Sequence, residues 1–112
     1  MKYVFSFIAT VCLSLQVFAA AEYAPKADDN AEVVYNKARF TVLTSRLIRM
    51  EWAEDGHFED RASFTVINRN LPVPQYSTEK RGNALVINTG DVELIYSGGA
   101  DLPKIICRYR LN

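Results

Sequence analysis

The strongest constraint on this chain is a two-residue alternation, repeated in short runs and interrupted by turn-forming residues. Phe40 and Val42 alternate with Thr41 and Leu43, then Ile48, Met50 and Trp52 alternate with Arg49 and Glu51. This period places one residue type on each face of a pleated strand. A helix through Arg39 to Trp52 would have to absorb Thr41, Val42, Thr44 and Ile48, all stiff at the first torsion, and its apolar positions would not gather on one stripe. Thr44-Ser45-Arg46 therefore reads as a tight connection, and Glu54-Asp55-Gly56 as the next turn.

The same pattern continues. Ser63 to Asn68 reads as a third, apolar strand, and Leu71-Pro72-Val73-Pro74 as an extended crossing segment, because each proline fixes its own φ and pushes its predecessor out of the helical region. Tyr76 to Glu79 is a short strand, Arg81-Gly82-Asn83 a turn, and Ala84 to Asn88 a further strand. Thr89-Gly90-Asp91 is a hairpin turn into Val92 to Tyr96. About six short strands at this spacing predict an all-β fold, an antiparallel β-sandwich or barrel, where a complete small sandwich has about seven. No helix-period segment and no internal repeat interrupts the pattern.

The amino terminus carries a different message. Lys2 precedes an apolar run from Tyr3 to Phe18, and Val17-Phe18-Ala19 or Ala19-Ala20-Ala21 offers small residues for cleavage. Residues 1–21 are read as a signal peptide. The run is shorter than the ~20 residues that span a bilayer and lacks a basic flank, so no stable membrane anchor is expected after cleavage. Val11 before Cys12 argues against a lipoprotein signal. Export, to the periplasm or outside the cell, is the expected localisation. Cleavage leaves Cys107 as the only cysteine, so no internal disulfide is possible. Residues 22–30, with Asp28-Asp29-Asn30 as a breaker, read as a flexible leader. The rest of the chain amounts to one domain at most. The 13 basic residues are matched by 13 acidic ones and scattered among them, so no nucleic-acid footprint is present.

Chemistry has few footholds. His57 is the only histidine, it lies beside a glycine turn, and no nucleophile elbow accompanies it. There is no phosphate loop, no paired cysteine motif and no HExxH helix. The acidic cluster Glu54, Asp55, Glu59 and Asp60 could offer oxygen ligands to calcium, but the D-x-[DN]-x-[DN]-G spacing is missing, and a solvated loop is the plainer reading. Two of these carboxylates acting on a glycosidic bond would have to face each other at ~5 to 9 Å across a sugar, and one loop does not predict that opposition. Trp52, Tyr76 and Tyr96 could stack on sugars. Trp52, however, continues the Ile48-Met50 face and Tyr96 the Val92-Leu94 face, so core packing is expected of both. Arg61 and Arg69, at the two ends of the third strand, are expected to pair with Glu59, Asp60 or backbone carbonyls. No catalytic, cofactor-binding or metal-ligating residue is assigned.

Three blocks, "ARFTVLTSRLIRMEW", "GHFEDRASFTVINRNLPVP" and "ALVINTGDVELIYSGG", taken in this order and spacing, resemble the start of the amino-terminal domain of glycoside hydrolase family 31, the secreted α-glucosidases and α-xylosidases. The resemblance runs over residues 31–99. It implies a galactose-mutarotase-like β-sandwich that packs on a catalytic (β/α)8 barrel, in a retaining, cofactor-free enzyme of carbohydrate metabolism acting on an oligosaccharide. The family's nucleophile and acid/base are barrel aspartates, and Asp55, Asp60, Asp91 and Asp101 match neither motif. Phe58 to Pro74 is then scaffold. The expected function is that of a non-catalytic amino-terminal fragment without its barrel; the alternative is a free-standing secreted carbohydrate-binding or interaction module.

Residues 100–112, "ADLPKIICRYRLN", depart from the family pattern. Back-translated with permitted codons and read from the third base of the Asp101 codon, Asp101 to Asn112 becomes FTENNLSVQIK, a family-like continuation, so a frameshift near Gly98 to Asp101 is inferred. A tail of that origin is not expected to complete a strand, and Cys107, Arg108, Tyr109 and Arg110 are expected to lack designed burial or partners.

Overall fold

The computed structural model describes residues 24–98 and 103–110. The expected signal peptide, Cys12, the start of the expected leader and Asp101 lie outside the described residues. Seven strands are present among those described: β1 (Glu32–Tyr35), β2 (Ala38–Thr44), β3 (Leu47–Trp52), β4 (Ser77–Arg81), β5 (Ala84–Asn88), β6 (Val92–Ser97) and β7 (Lys104–Tyr109). They form two antiparallel sheets in the orders β1-β2-β3 and β4-β5-β6-β7. The fold is an all-β antiparallel sandwich.

Local turn chemistry explains the meander. β1 and β2 are joined through Asn36, which takes a left-handed φ of 54°; asparagine tolerates this because its short polar side chain can bond locally. Gly82, at φ 60°, turns β4 into β5 by the same geometry with no Cβ to clash. β2 carries a bulge between Val42 and Thr44, so one extra residue is taken up before Ser45 and Arg46 turn the chain into β3. That turn is tied to the opposite sheet. Ser45 Oγ donates to Asp91 at 2.7 Å, Arg46 Nε reaches the same carboxylate at 3.3 Å, and Thr89 Oγ1 donates to the Ser45 carbonyl at 2.5 Å.

Alternation then builds the core. Ala38, Phe40 and Val42 of β2 face Leu85 and Ile87 of β5 and Leu94 and Tyr96 of β6, all buried, with Val33, Tyr35, Ile48 and Tyr76 packed around them. The Phe40 ring meets Tyr96 edge-on at 5.2 Å, and Tyr35 meets the same ring at 6.2 Å. Burying each such side chain stabilises the fold by roughly 1.5–3 kcal/mol.

Four expectations are corrected here. Ser63 to Asn68 is not a strand: Ser63 N–H donates to the Val66 carbonyl at 3.1 Å while Val66 N–H donates back to Ser63 Oγ at 3.2 Å, closing a local turn that competes with any ladder. The leader residues 24–30 are not loose. The Ala24 carbonyl accepts from Arg69 and Asn70, Ala27 is buried, and Asp28 caps a single 3-10 turn at Asp29–Ala31. Trp52 is not a core residue; it lies on the core-side face of β3, but an open groove between it and Tyr96 and Ile105 leaves the indole more than half exposed. The tail does complete a strand. Lys104 to Tyr109 pair residue for residue with β6; Cys107, Arg108, Tyr109 and Arg110 are all exposed, as expected, but they do find partners, Arg108 in Glu93 and Arg110 in the Asp91 carbonyl.

Candidate functional site

The charged residues gather on the face of the β1-β2-β3 sheet that points away from the core. Along β2, Arg39 and Thr41 alternate with the core residues, and the hairpin register sets Arg39 opposite Glu51 and Thr41 opposite Arg49. This face is covered by the long loop between β3 and β4, which contains the whole Phe58 to Pro74 segment.

Arg39 is the hub. Its Nε donates to Glu51 Oε2 at 2.7 Å, Nη1 to Asp60 Oδ1 at 2.6 Å and Nη2 to the Glu59 carbonyl at 3.0 Å. Glu32 Oε1 stands 3.4 Å from Nη1, and the Phe58 ring lies 5.0 Å from the guanidinium carbon. The guanidinium is therefore bonded at its edge and stacked on a face, which its planar fork permits and an ammonium would not. Burial works against charge on Arg39, but the hydrogen bonds to Glu51 and Asp60 outweigh it and raise its pKa. Burial likewise pushes Glu51 up, and its bonds with Arg39 and Arg49 more than reverse this, leaving its carboxyl below the ordinary glutamate range. Arg49 pairs with the same Glu51 carboxylate.

Arg69 is the second anchor, with 2% of its surface exposed. Nη1 donates to the Glu59 carbonyl and Nη2 to the Arg61 carbonyl, each at 2.7 Å. Its Nε has no partner among the described residues, and its pKa is lowered by burial first and by the nearby charge of Arg49 second. Two loop carbonyls ahead of Ser63, those of Glu59 and Arg61, are satisfied by a side chain. That is how the segment stays ordered without being a strand.

The acidic cluster does not converge. Asp60 turns to Arg39, and that hydrogen bond lowers its pKa. Glu59 grips Arg61 through two side-chain contacts at 2.9 and 2.7 Å and accepts from its backbone N–H, which holds the Glu59 carboxyl down at about 2. Asp55 accepts the His57 backbone N–H at 3.0 Å and is lowered by it, while Glu54 is exposed. Every carboxyl with a resolved shift moves downward, the direction of an ion-pair partner; a general acid near neutral pH needs the opposite. Among the described residues no group of three or more His, Cys, Asp or Glu is arranged to hold a metal ion.

The aromatic candidates separate. Tyr96 is buried in the core, Tyr76 donates its hydroxyl to the Asn30 carbonyl at 2.5 Å, and Trp52 lies exposed with Lys37 Nζ 5.9 Å from its ring centre. Sequence reading passed over Arg39, although an arginine between Ala38 and Phe40 in an apolar strand was a visible signal: a charge there must find a partner, and hairpin arithmetic points to Glu51. No protein-family model matches the chain, and no curated protein matches it.

Proposed function

We propose that this chain is the non-catalytic amino-terminal β-sandwich piece of an exported family 31 glycoside hydrolase, of α-glucosidase or α-xylosidase type and galactose-mutarotase-like architecture, whose role in carbohydrate metabolism depends on a barrel outside this sequence. The reading rests on the three sequence blocks and their order. Its single structural support is the behaviour of the middle block: Glu59 and Asp60, the acids closest to its strand-like stretch, hold Arg61 and Arg39 and so brace a loop. Resequencing the gene across Gly98 to Asn112 and translating downstream in the alternative frame tests it. Further sandwich strands and then a barrel are expected; their absence in every frame removes the proposal. The chain by itself is expected not to turn over aryl α-glucosides or α-xylosides, and turnover abolished by Asp60→Ala or Asp55→Ala would overturn this.

One observation favours the second reading, a free-standing secreted carbohydrate-binding or interaction module. β7 brings the strand number to seven, the count of a small complete sandwich. A sharp, cooperative thermal transition in a monomer that binds no hydrophobic dye would put this reading first.

A further inference from the structure

The two sheets of the sandwich do not end flush. Pairing puts Met50 and Trp52 of β3 in line with Phe40 and Ala38, and Ile105, Cys107 and Tyr109 of β7 in line with Tyr96, Leu94 and Val92. These are core-side positions, yet Trp52 is 55% exposed, Ile105 44% and Tyr109 67%. Between the two overhanging strands an apolar groove of about 160 Å³ opens, its walls including Phe40, Trp52, Tyr96, Pro103 and Ile105.

One wall of this groove is a free sheet edge. β7 is the last strand of its sheet, and among the described residues nothing pairs with its outer side. Arg110 N–H donates to the Asp91 carbonyl at 2.9 Å, which fixes the phase of the ladder. Because inward bonding alternates along an antiparallel strand, Ile105, Cys107 and Tyr109 direct their amides and carbonyls away from β6. Unpaired backbone groups beside an apolar groove form a template for another strand.

Charge decides which strand fits. The opposite face of β7 carries Lys104 and Arg108, followed by Arg110, with no acid between them. Among the described residues, only Arg108 approaches a carboxylate, that of Glu93 on the neighbouring strand, at 3.8 Å. An antiparallel second copy of β7 would set Lys104 against Arg108 or Arg110, and like charges directly opposite one another destabilise a strand pair.

We propose that the β7 edge and its groove accept an extended strand from a partner polypeptide, apolar at the alternate positions facing Trp52 and Ile105 and acidic at those facing Lys104 and Arg108. This rests on the free-standing-module reading, since it requires Lys104 to Tyr109 as this sequence encodes them. Main-chain bonds along the edge supply affinity, while the groove and the basic face select the sequence.

Trp52 is the only tryptophan in the chain, so its emission reports on the groove. Titrating the full chain with the peptide Glu-Val-Glu-Val-Glu-Val-Glu is expected to shift Trp52 emission to shorter wavelength and saturate. The Lys-Val counterpart should bind at least tenfold more weakly. N-methylation of the acidic peptide at alternate amides, which blocks edge pairing without altering the protein, should weaken it by a similar factor, as should Ile105→Asp, while Ile105→Val retains binding. No saturable shift, equal binding of the two peptides, or indifference to N-methylation overturns the proposal. A dimer in sedimentation that Ile105→Asp disperses would overturn it in favour of a second copy.

Discussion

Arg39, near the start of β2, and Arg69, in the second half of the loop between β3 and β4, donate to the same oxygen: the Glu59 carbonyl accepts Arg39 Nη2 at 3.0 Å and Arg69 Nη1 at 2.7 Å. Two buried guanidinium groups thus converge on one peptide unit. Their mutual repulsion is held in check by Glu51 and Asp60, which face Arg39. The loop is fastened to the sheet at a point where any loss of a charge leaves another charge unbalanced.

Arg39→Ala is therefore predicted to destabilise the fold by about 3–5 kcal/mol, since removing one member of a buried pair strands its partner. Urea unfolding measures this directly. Arg39→Met combined with Glu51→Met should recover most of the loss, and a single-variant cost under about 1 kcal/mol would place the pair in the class of exposed ion pairs.

Stability should fall in acid. Glu51 has a depressed pKa in the folded state, so the unfolded chain binds more protons, and the Glu51 contribution is fully present above its unfolded value of 4.5 and lost as pH drops through the lower folded value. Asp60 acts in the same direction from an unfolded value of 3.8, but its side chain is half exposed and solvent screens its contribution. The urea midpoint, followed from pH 6 to pH 3, should decline with a slope that Glu51→Gln flattens. Parallel profiles for the two proteins would contradict the assignment.

Arg69→Lys is expected to release the loop while sparing the core. An ammonium cannot bridge two carbonyls with the geometry of a guanidinium fork. Amide exchange at the residues around Glu59 to Asn70 should accelerate, and exchange in β5 and β6 should stay slow. Uniform acceleration would mean that the loop and the core open as one unit.

The core and the overhang should respond differently to truncation. Leu94→Ala removes a buried side chain and is predicted to cost about 2–5 kcal/mol, whereas Trp52→Ala, at an exposed position, should stay within about 1 kcal/mol. Comparable losses at both sites would show that the groove is closed in solution.

The alternation in residues 40–43, 48–52 and 92–96 determined by itself that these segments are strands and which of their residues point inward, because a pleat sends successive side chains to opposite faces and turn residues sit where φ must turn positive. The inward assignment of Phe40, Val42, Leu94 and Tyr96 was legible for that reason. What the alternation could not carry was coverage. Ile48 and Trp52 share one face of β3, yet only Ile48 packs against the core, because an open groove separates Trp52 from Tyr96 and Ile105 of the opposing sheet. Nor could it separate a strand from an anchored loop in Ser63 to Asn68, where Ser63 closes a local turn and the flanking Arg69 fastens the loop through the Glu59 and Arg61 carbonyls. Local pattern fixes the direction of a side chain, and only the tertiary arrangement decides whether anything stands opposite it.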